Sequence, residues 1–178
     1  NHEQTKTFFS DRNFFGLDAE KIHFLPQGMM PAVLETGEIL MESKNLMAMN
    51  PDGHGGAFRV LAKSGAAKKM QEEGIEVISY FQVDNPLAPF LDPSFFGFHV
   101  VTGSEMSSRA APKKSPDEKV GVFCMLNDSL TVMEYSDLPT QLAHRKNKDG
   151  SLVFHAGNLA MHVIDPAFVE RIATGGKT

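Results

Sequence analysis

The stretch from Ala57 to Val83, AFRVLAKSGAAKKMQEEGIEVISYFQV, decides the fold class because a helical pattern runs directly into a strand pattern. Apolar residues recur at helical spacing as far as Glu73, with a break predicted at Ser64-Gly65, and Gly74 ends the helix. The β-branched and aromatic residues of 76–83 then predict a buried strand. A helix followed by a buried strand is half of the unit that builds parallel sheets, so this stretch predicts an α/β fold.

The same alternation continues on both sides of this stretch. Helices are predicted for residues 5–15, 93–102, 138–144 and 166–173, and strands for residues 22–27, 120–126, 130–135 and 151–155. Residues 32–41 predict a hairpin that turns at Thr36-Gly37, and residues 104–119 predict a connection or a short edge strand. Together these elements predict a mixed sheet flanked by helices, within one domain that covers residues 1–178.

The composition is that of a globular domain rather than of a disordered or fibrous chain. Of the 178 residues, 42% are hydrophobic and 22% are charged, which is enough apolar material to bury one core. The net charge of −5 argues against nucleic-acid binding, because surfaces that track phosphates need clustered Lys and Arg. The basic pair Lys113-Lys114 is interpreted as part of a solvated loop.

Cysteine content and hydropathy argue against cysteine-based cross-links and against membrane-spanning segments. The single cysteine, Cys124, cannot form an internal disulfide or a cysteine-based zinc site, and its apolar surroundings predict a buried strand. No apolar stretch approaches the roughly 20 residues that span a bilayer, and no signal-peptide pattern is present. We therefore expect a cytoplasmic protein.

Several candidate binding residues lie where predicted strands end or helices begin. The sequence PDGHGG at 51–56 opens a predicted helix, whose free amides can receive an anion or a polar ligand edge, although glycine-rich turns are also common structural features. Asp84-Asn85 follows the predicted strand 76–83, where a carboxylate can hold Mg²⁺ or simply cap a turn. Glu134-Tyr135 and the sequence FHAGN at 154–158 also follow strand patterns.

Five separated blocks together resemble the UDP-N-acetylglucosamine pyrophosphorylase family. They are PDGHGG at 51–56, VDNPLAPFLDPSFFGFHV at 83–100, KSPDEKVGVF at 114–123, VMEYSDL at 132–138 and FHAGNLAMHVID at 154–165. The resemblance implies a Rossmann-like, GT-A-like nucleotidyltransferase domain. Its implied reaction converts UTP and a sugar 1-phosphate into a UDP-sugar and pyrophosphate.

The resemblance also assigns residue roles. It implies that Gln27 and the backbone at Gly53 contact the uracil, and that Asp84 lies near the phosphates as the catalytic residue that holds Mg²⁺. The sugar-binding residues that it implies are His54, Gly121, Glu134, Tyr135 and Asn158. The position of His54 usually carries Asn in the acetylglucosamine branch, whereas Gly-His-Gly is typical of UDP-glucose and broad-specificity UDP-sugar pyrophosphorylases.

The family's glycine-rich loop and following Pro-Lys are not found in this sequence, nor is a C-terminal lysine region. We therefore interpret the sequence as the central part of a catalytic domain that is inactive alone and self-associates through exposed sheet edges. Two functions from other classes remain open, a non-catalytic sugar-nucleotide-binding domain and a Mg²⁺-dependent phosphohydrolase that uses Asp84. N-acetylglucosamine 1-phosphate is the favoured sugar substrate, with glucose 1-phosphate as the alternative.

Overall fold

The computed structural model describes residues 1–175, which form two compact units. The first unit comprises Asn1–Gly74 together with residues 169–175, and the second unit comprises Ile75–Phe168. No helix in the described part of the chain is long and apolar enough to cross a membrane.

The first unit is built from short elements. Its helices are α1 (His2–Ser10), α2 (His54–Lys63) and α3 (Ala66–Glu72), and its strands are β1 (Met29–Pro31), β2 (Met41–Ser43), β3 (Leu46–Met47) and β4 (Met49–Pro51). Strand β1 pairs antiparallel with β4, and β2 pairs antiparallel with β3. The predicted helix break is confirmed, because α2 and α3 are separated by Ser64 and by Gly65, whose positive φ of 77° ends the first helix.

Two other predictions in the first unit have different outcomes. The turn at Thr36-Gly37 is confirmed, since the amide of Gly37 donates to the carbonyl of Leu34 at 2.9 Å and Val33 bridges Ile39. The predicted strand at 22–27 is wrong, because this segment pairs with no strand among the described residues, and β1 begins only at Met29.

The second unit contains the larger sheet. Its strands are β5 (Ile78–Tyr80), β6 (Met106–Pro112), β7 (Val122–Leu126), β8 (Ser129–Met133) and β9 (Ala156–Ile164), and its helices are α4 (Pro93–Thr102) and α5 (Thr140–Ala143). Helix α6 (Pro166–Ala173) begins at the end of this unit. The hairpin of β7 and β8 is confirmed, with positive φ at Asn127 and Asp128 as a tight two-residue turn requires.

Strand β9 organises this sheet because it pairs with three other strands. Its residues 162–164 pair with β5 on one side and with β6 on the other, and Gly157 pairs with Val122 of β7. Met161, Val163 and Ile164 of β9 are all buried, as is Val122. The core of the second unit is therefore centred on β9.

The prediction of a mixed sheet is not met in the described residues, where every strand pair is antiparallel. The pattern of strand, helix and strand at β5, α4 and β6 does produce two strands that run in the same direction. These strands are not neighbours, because β9 lies between them and runs in the opposite direction. A local pattern predicts direction but cannot detect a strand inserted from 80 residues further along the chain.

The position of strand β9 also differs from the one that the sequence pattern predicts. Residues 151–155 were predicted as the strand, but only Leu152 forms a bridge there, with Lys146. Small residues interrupt the apolar pattern of 156–164, and Ala160 has a positive φ of 50° opposite the register shift in β6. The bulge breaks the two-residue alternation that identifies a strand.

Helix α4 begins and ends at the predicted residues. Asp92 caps it by accepting a hydrogen bond from the amide of Ser94 at 2.9 Å, and Pro93 occupies its first position. At its other end the buried ring of His99 joins Ser107 of β6, at 2.8 Å, to Asp165 at the end of β9, at 2.9 Å. These contacts hold α4 against the sheet.

Candidate functional site

Two predicted nucleotide-binding residues, Gln27 and Gly53, lie together in the first unit. The side-chain amide of Gln27 donates from Nε2 to the carbonyl oxygen of Gly53. Pairing of β1 with β4 places the two segments side by side, and the amide of Asp52 extends that pairing by donating to the carbonyl of Gly28 at 3.1 Å. Gly53 has a φ of +74°, a conformation that favours glycine.

A buried carboxylate lies beside this contact. The side chain of Asp52 is only 3% exposed, and its Oδ2 accepts a hydrogen bond from Nη1 of Arg59 at 2.9 Å. Its Oδ1 is buried and has no hydrogen-bond partner in the described part of the chain. A buried carboxylate with an unpaired oxygen lowers the stability of the fold unless the surrounding groups compensate for its lost hydration.

The glycines around Asp52 make room for it. A Cβ at Gly56 would lie 1.7 Å from Oδ1 of Asp52 and 2.7 Å from Nε2 of Gln27, and a Cβ at Gly28 would lie 2.7 Å from Oδ2. Gly56 was interpreted as a residue that lets a ligand approach the backbone, but the group that approaches it here is the protein's own carboxylate. No local pattern predicts a role for Asp52, and the one signal of an ion pair in the sequence is Arg59, seven residues later.

His54 is the first residue of α2 and is exposed. It therefore lies at the helix end whose amides carry partial positive charge, next to Gly53. Gln27, Gly53 and His54 all belong to the first unit, whereas the remaining predicted site residues belong to the second.

Three predicted sugar-binding residues come together in the second unit. The carbonyl of Gly121 accepts a hydrogen bond from the amide of Asn158 at 2.8 Å. A Cβ at Gly121 would lie 3.2 Å from Oε1 of Glu134, so the carboxylate lies directly against this glycine. Gly121, Glu134 and Asn158 thus form one cluster, although they are up to 37 residues apart in the sequence.

The polar groups of this cluster are suited to hydroxyl and amide ligands. Oδ1 of Asn158 accepts a hydrogen bond from the amide of Ala160 at 3.0 Å. The NH₂ group of Asn158 is therefore the part of this side chain that can donate to a ligand. The carboxylate of Glu134 is exposed and makes no hydrogen bond to residues 1–175, so both of its oxygens can accept. Tyr135 follows Glu134 after β8 and is also exposed.

Asp84 does not lie at the end of a strand as predicted. Strand β5 ends at Tyr80, and Asp84 is an exposed residue in the turn that follows. No group of three or more His, Cys, Asp or Glu side chains that could hold a metal occurs in the part of the chain that the structure describes. A single exposed carboxylate still fits one coordination position of Mg²⁺, which takes its other ligands from phosphates and water.

The interpretation of Lys113 as a solvated loop residue is wrong. Lys113 is only 8% exposed, its amide donates to the carbonyl of His155 at 2.7 Å, and its Nζ donates to the carbonyl of Pro116 at 3.3 Å. Within the described residues no carboxylate lies within ion-pair distance of Nζ. A buried ammonium group with only a carbonyl partner is a candidate anion ligand.

Comparisons with known proteins show the family to which this chain belongs. The sequence matches the family described as UTP–glucose-1-phosphate uridylyltransferase over residues 1–174. It is 34% identical over 168 residues to human UDP-N-acetylhexosamine pyrophosphorylase-like protein 1, with 94% of this chain and 33% of the human protein covered. It is 36% identical over 159 residues to UDP-N-acetylglucosamine pyrophosphorylase of Saccharomyces cerevisiae, with 89% of this chain and 33% of the yeast protein covered.

The fold is also similar to a solved structure. A crystal structure of uridine diphosphate N-acetylglucosamine pyrophosphorylase from Trypanosoma brucei, in complex with an inhibitor, matches with a TM-score of 0.86 and 29% identity. The match covers 98% of this chain and 35% of that protein. The chain spans about a third of the length of the curated relatives it matches.

Proposed function

We propose, from the premise that this chain belongs to the UTP–glucose-1-phosphate uridylyltransferase family, that the protein containing it transfers a uridylyl group from UTP to a sugar 1-phosphate. The products are a UDP-sugar and pyrophosphate. The observation that carries this proposal is the cluster of Gly121, Glu134 and Asn158, three residues that the family resemblance assigns to the sugar.

The proposed reaction needs no nucleophile from the protein. An oxygen of the sugar phosphate attacks the α-phosphorus of UTP in line, a new P–O bond forms, and the bond to the bridging oxygen of the departing pyrophosphate breaks. The protein contributes by positioning both substrates and by neutralising phosphate charge. We assign part of that neutralisation to Lys113, because its buried ammonium group has no carboxylate partner among the described residues.

Mg²⁺ is the proposed cofactor, with Asp84 as its protein ligand. When bound, the ion supplies positive charge to the phosphates of the nucleotide. The exposure of Asp84 supports this assignment, since its carboxylate is available to an ion that is held mainly by phosphate oxygens and water. The role of Asp84 itself is to provide one oxygen at a defined position after β5.

The finer fold assignment is a Rossmann-like, GT-A-like nucleotidyltransferase domain. It is supported by the connection from β5 through α4 to β6, which joins two strands that run in the same direction. It is also supported by the location of candidate ligand groups in the segments after β5 and β8.

N-acetylglucosamine 1-phosphate is the proposed sugar substrate, and glucose 1-phosphate is the alternative. The relatives at 34–36% identity described above carry names for N-acetylhexosamine or N-acetylglucosamine enzymes. His54 favours the alternative, because its Gly-His-Gly context resembles the glucose and broad-specificity enzymes. An imidazole and an amide at the start of α2 offer different hydrogen-bonding groups to a sugar substituent.

The proposal is tested by pyrophosphate release from the full-length protein with UTP and Mg²⁺. N-acetylglucosamine 1-phosphate is compared with glucose 1-phosphate in the wild type and in His54→Asn, and the ratio of the two kcat/KM values shows what position 54 selects. Glu134→Gln should lower kcat/KM for the preferred sugar by at least about tenfold, since an acceptor for sugar hydroxyls is lost.

Glu72→Gln is the matched control, because Glu72 is an exposed carboxylate on α3 outside the predicted sites. Its kcat/KM should equal that of the wild type. Binding of UDP-sugar without any pyrophosphate release would contradict the proposal and identify a non-catalytic binding domain. Phosphate release from a sugar phosphate without UTP would instead identify a phosphohydrolase.

A further inference from the structure

We propose that Asp52 is a positioning residue that fixes the orientation of the Gln27 amide, and that it thereby selects uracil over cytosine in the nucleotide. This inference rests on the proposed function, in which Gln27 contacts the base. Asp52 itself does not touch the nucleotide, because its carboxylate is buried behind Gly28 and Gly56.

The first step of the argument is that the Asp52 carboxylate is buried and held by an ion pair. Its side chain is 3% exposed, and Oδ2 is held by Arg59 at 2.9 Å. The position where a Cβ of Gly56 would be lies only 1.7 Å from Oδ1, so even a methyl group at residue 56 would overlap the carboxylate. Oδ1 is therefore a fixed negative acceptor without a hydrogen-bond partner among the described residues.

The second step is that this acceptor lies beside the amide of Gln27. Oδ1 of Asp52 and Nε2 of Gln27 are 1.7 and 2.7 Å from the same point, the Cβ position of Gly56. Nε2 also donates to the carbonyl oxygen of Gly53. The NH₂ group of Gln27 is hydrogen-bonded to the carbonyl of Gly53 and has the unpaired Oδ1 of Asp52 nearby, so a flipped amide would bring Oε1 close to two acceptors.

The third step concerns the other end of the amide. Because the NH₂ group of Gln27 faces Gly53, its Oε1 points away from that carbonyl, and Oε1 makes no hydrogen bond to residues 1–175. This oxygen can accept from the N3–H of uracil. The N3 of cytosine is itself an acceptor, so it would face the oxygen of Gln27 without a hydrogen between them.

A site that is built to hydrogen-bond one group discriminates strongly against an analogue that lacks the group, because its polar atoms are then left unpaired. Replacing Asp52 by Asn removes the fixed acceptor and supplies an NH₂ group that can face Oε1 of a flipped Gln27. Cytosine then finds a donor, and the preference for uracil falls.

The test compares UTP with CTP as substrates of the full-length protein. Asp52→Asn should lower the ratio of kcat/KM for UTP to that for CTP by about tenfold, through KM rather than kcat, since the base is remote from the reacting phosphorus. Arg59→Gln should change the ratio in the same direction by a smaller factor, because Asp52 keeps its charge but loses its anchor. Arg59→Gln also provides a test if Asp52→Asn fails to fold.

Asp92→Asn is the matched control, because it removes the carboxylate of the other Asp–Arg pair, Asp92 with Arg109, in the second unit. It should lower stability without changing the nucleotide ratio, whereas a purely structural role of Asp52 would give the same result for both variants. An active Asp52→Asn protein with an unchanged UTP to CTP ratio overturns the inference.

Binding measurements separate this inference from the proposed function. If the wild type binds UDP more tightly than CDP in calorimetry, and Asp52→Asn reduces that preference, the inference holds even where no sugar phosphate is converted. In that case only the proposed function fails. Equal binding of UDP and CDP by the wild type, or binding of neither, overturns the inference.

Discussion

The two units hold their candidate ligand residues in different ways. In the first unit no apolar residue before Gly56 is buried, and the segments at Gln27 and Gly53 are held by a short strand pair and by the buried carboxylate of Asp52. In the second unit Gly121 and Asn158 lie on or beside the strands of a five-stranded sheet with an apolar core. The first arrangement depends on a few polar contacts, and the second depends on many apolar ones.

The difference has consequences for mutation. Hydrophobic burial is distributed over many atoms, so a sheet tolerates the loss of one polar group at its surface. A buried carboxylate instead has a large desolvation cost, and only hydrogen bonds and ion pairs from the groups around it can offset that cost. Substitutions beside Asp52 should therefore act strongly even when they are small.

The largest effect is expected in the core of the second unit. Ile164 is 0% exposed, so Ile164→Ala should lower the free energy of unfolding by about 2–5 kcal/mol. Met30 of β1 is 55% exposed, and Met30→Ala should change the free energy of unfolding by no more than about 0.5 kcal/mol. Denaturant unfolding of the full-length protein measures both. Equal effects would show that the strands of the first unit are buried in the full-length protein.

A smaller effect is expected from one methyl group in the first unit. Gly56→Ala places a Cβ within 1.7 Å of Oδ1 of Asp52, and the required displacement should cost about 1–3 kcal/mol of unfolding free energy. Gly55 is its matched control, since a Cβ there would meet nothing within 4 Å and both residues lie in α2. Gly55→Ala should be neutral or stabilising by up to about 1 kcal/mol. Equal stability of the two variants would mean that the Asp52 side chain moves easily.

The smallest effect concerns the ion pair at the start of α4. The hydrogen bond from Arg109 lowers the pKa of Asp92, and the amide of Ser94 adds to this. Because the pKa is lower in the folded state, the contribution of Asp92 to stability is complete above the unfolded pKa of about 4 and disappears as the pH falls through the folded value. The difference in Tm between wild type and Asp92→Asn should therefore shrink as the pH is lowered from 5 towards 2. A difference that stays constant over this range would contradict the assignment.

Predictions that depend on neighbouring residues were correct, whereas predictions that depend on residues far apart in the sequence were wrong. The cap of α4 at Asp92, the break at Ser64-Gly65 and the hairpin turn at Asn127-Asp128 depend on neighbouring residues, and all three are confirmed. The position of β9 and the burial of Lys113 depend on partners far along the chain, and both were predicted wrongly. The structure brings together Gly121, Glu134 and Asn158, which the resemblance names and local patterns do not connect, and their sugar-binding role stays a prediction.

The sequence by itself determined the alternation of helices and strands, the local turns and the family to which the chain belongs. These properties follow from backbone preferences and from blocks of residues that can be read in order. Only the tertiary structure decided that β9 separates β5 from β6, that Lys113 is buried, and that Asp52 lies between Gly28 and Gly56 beside Gln27. The physical reason is that burial and polar pairing are properties of groups brought together from distant parts of the chain, and no local pattern encodes which groups will meet.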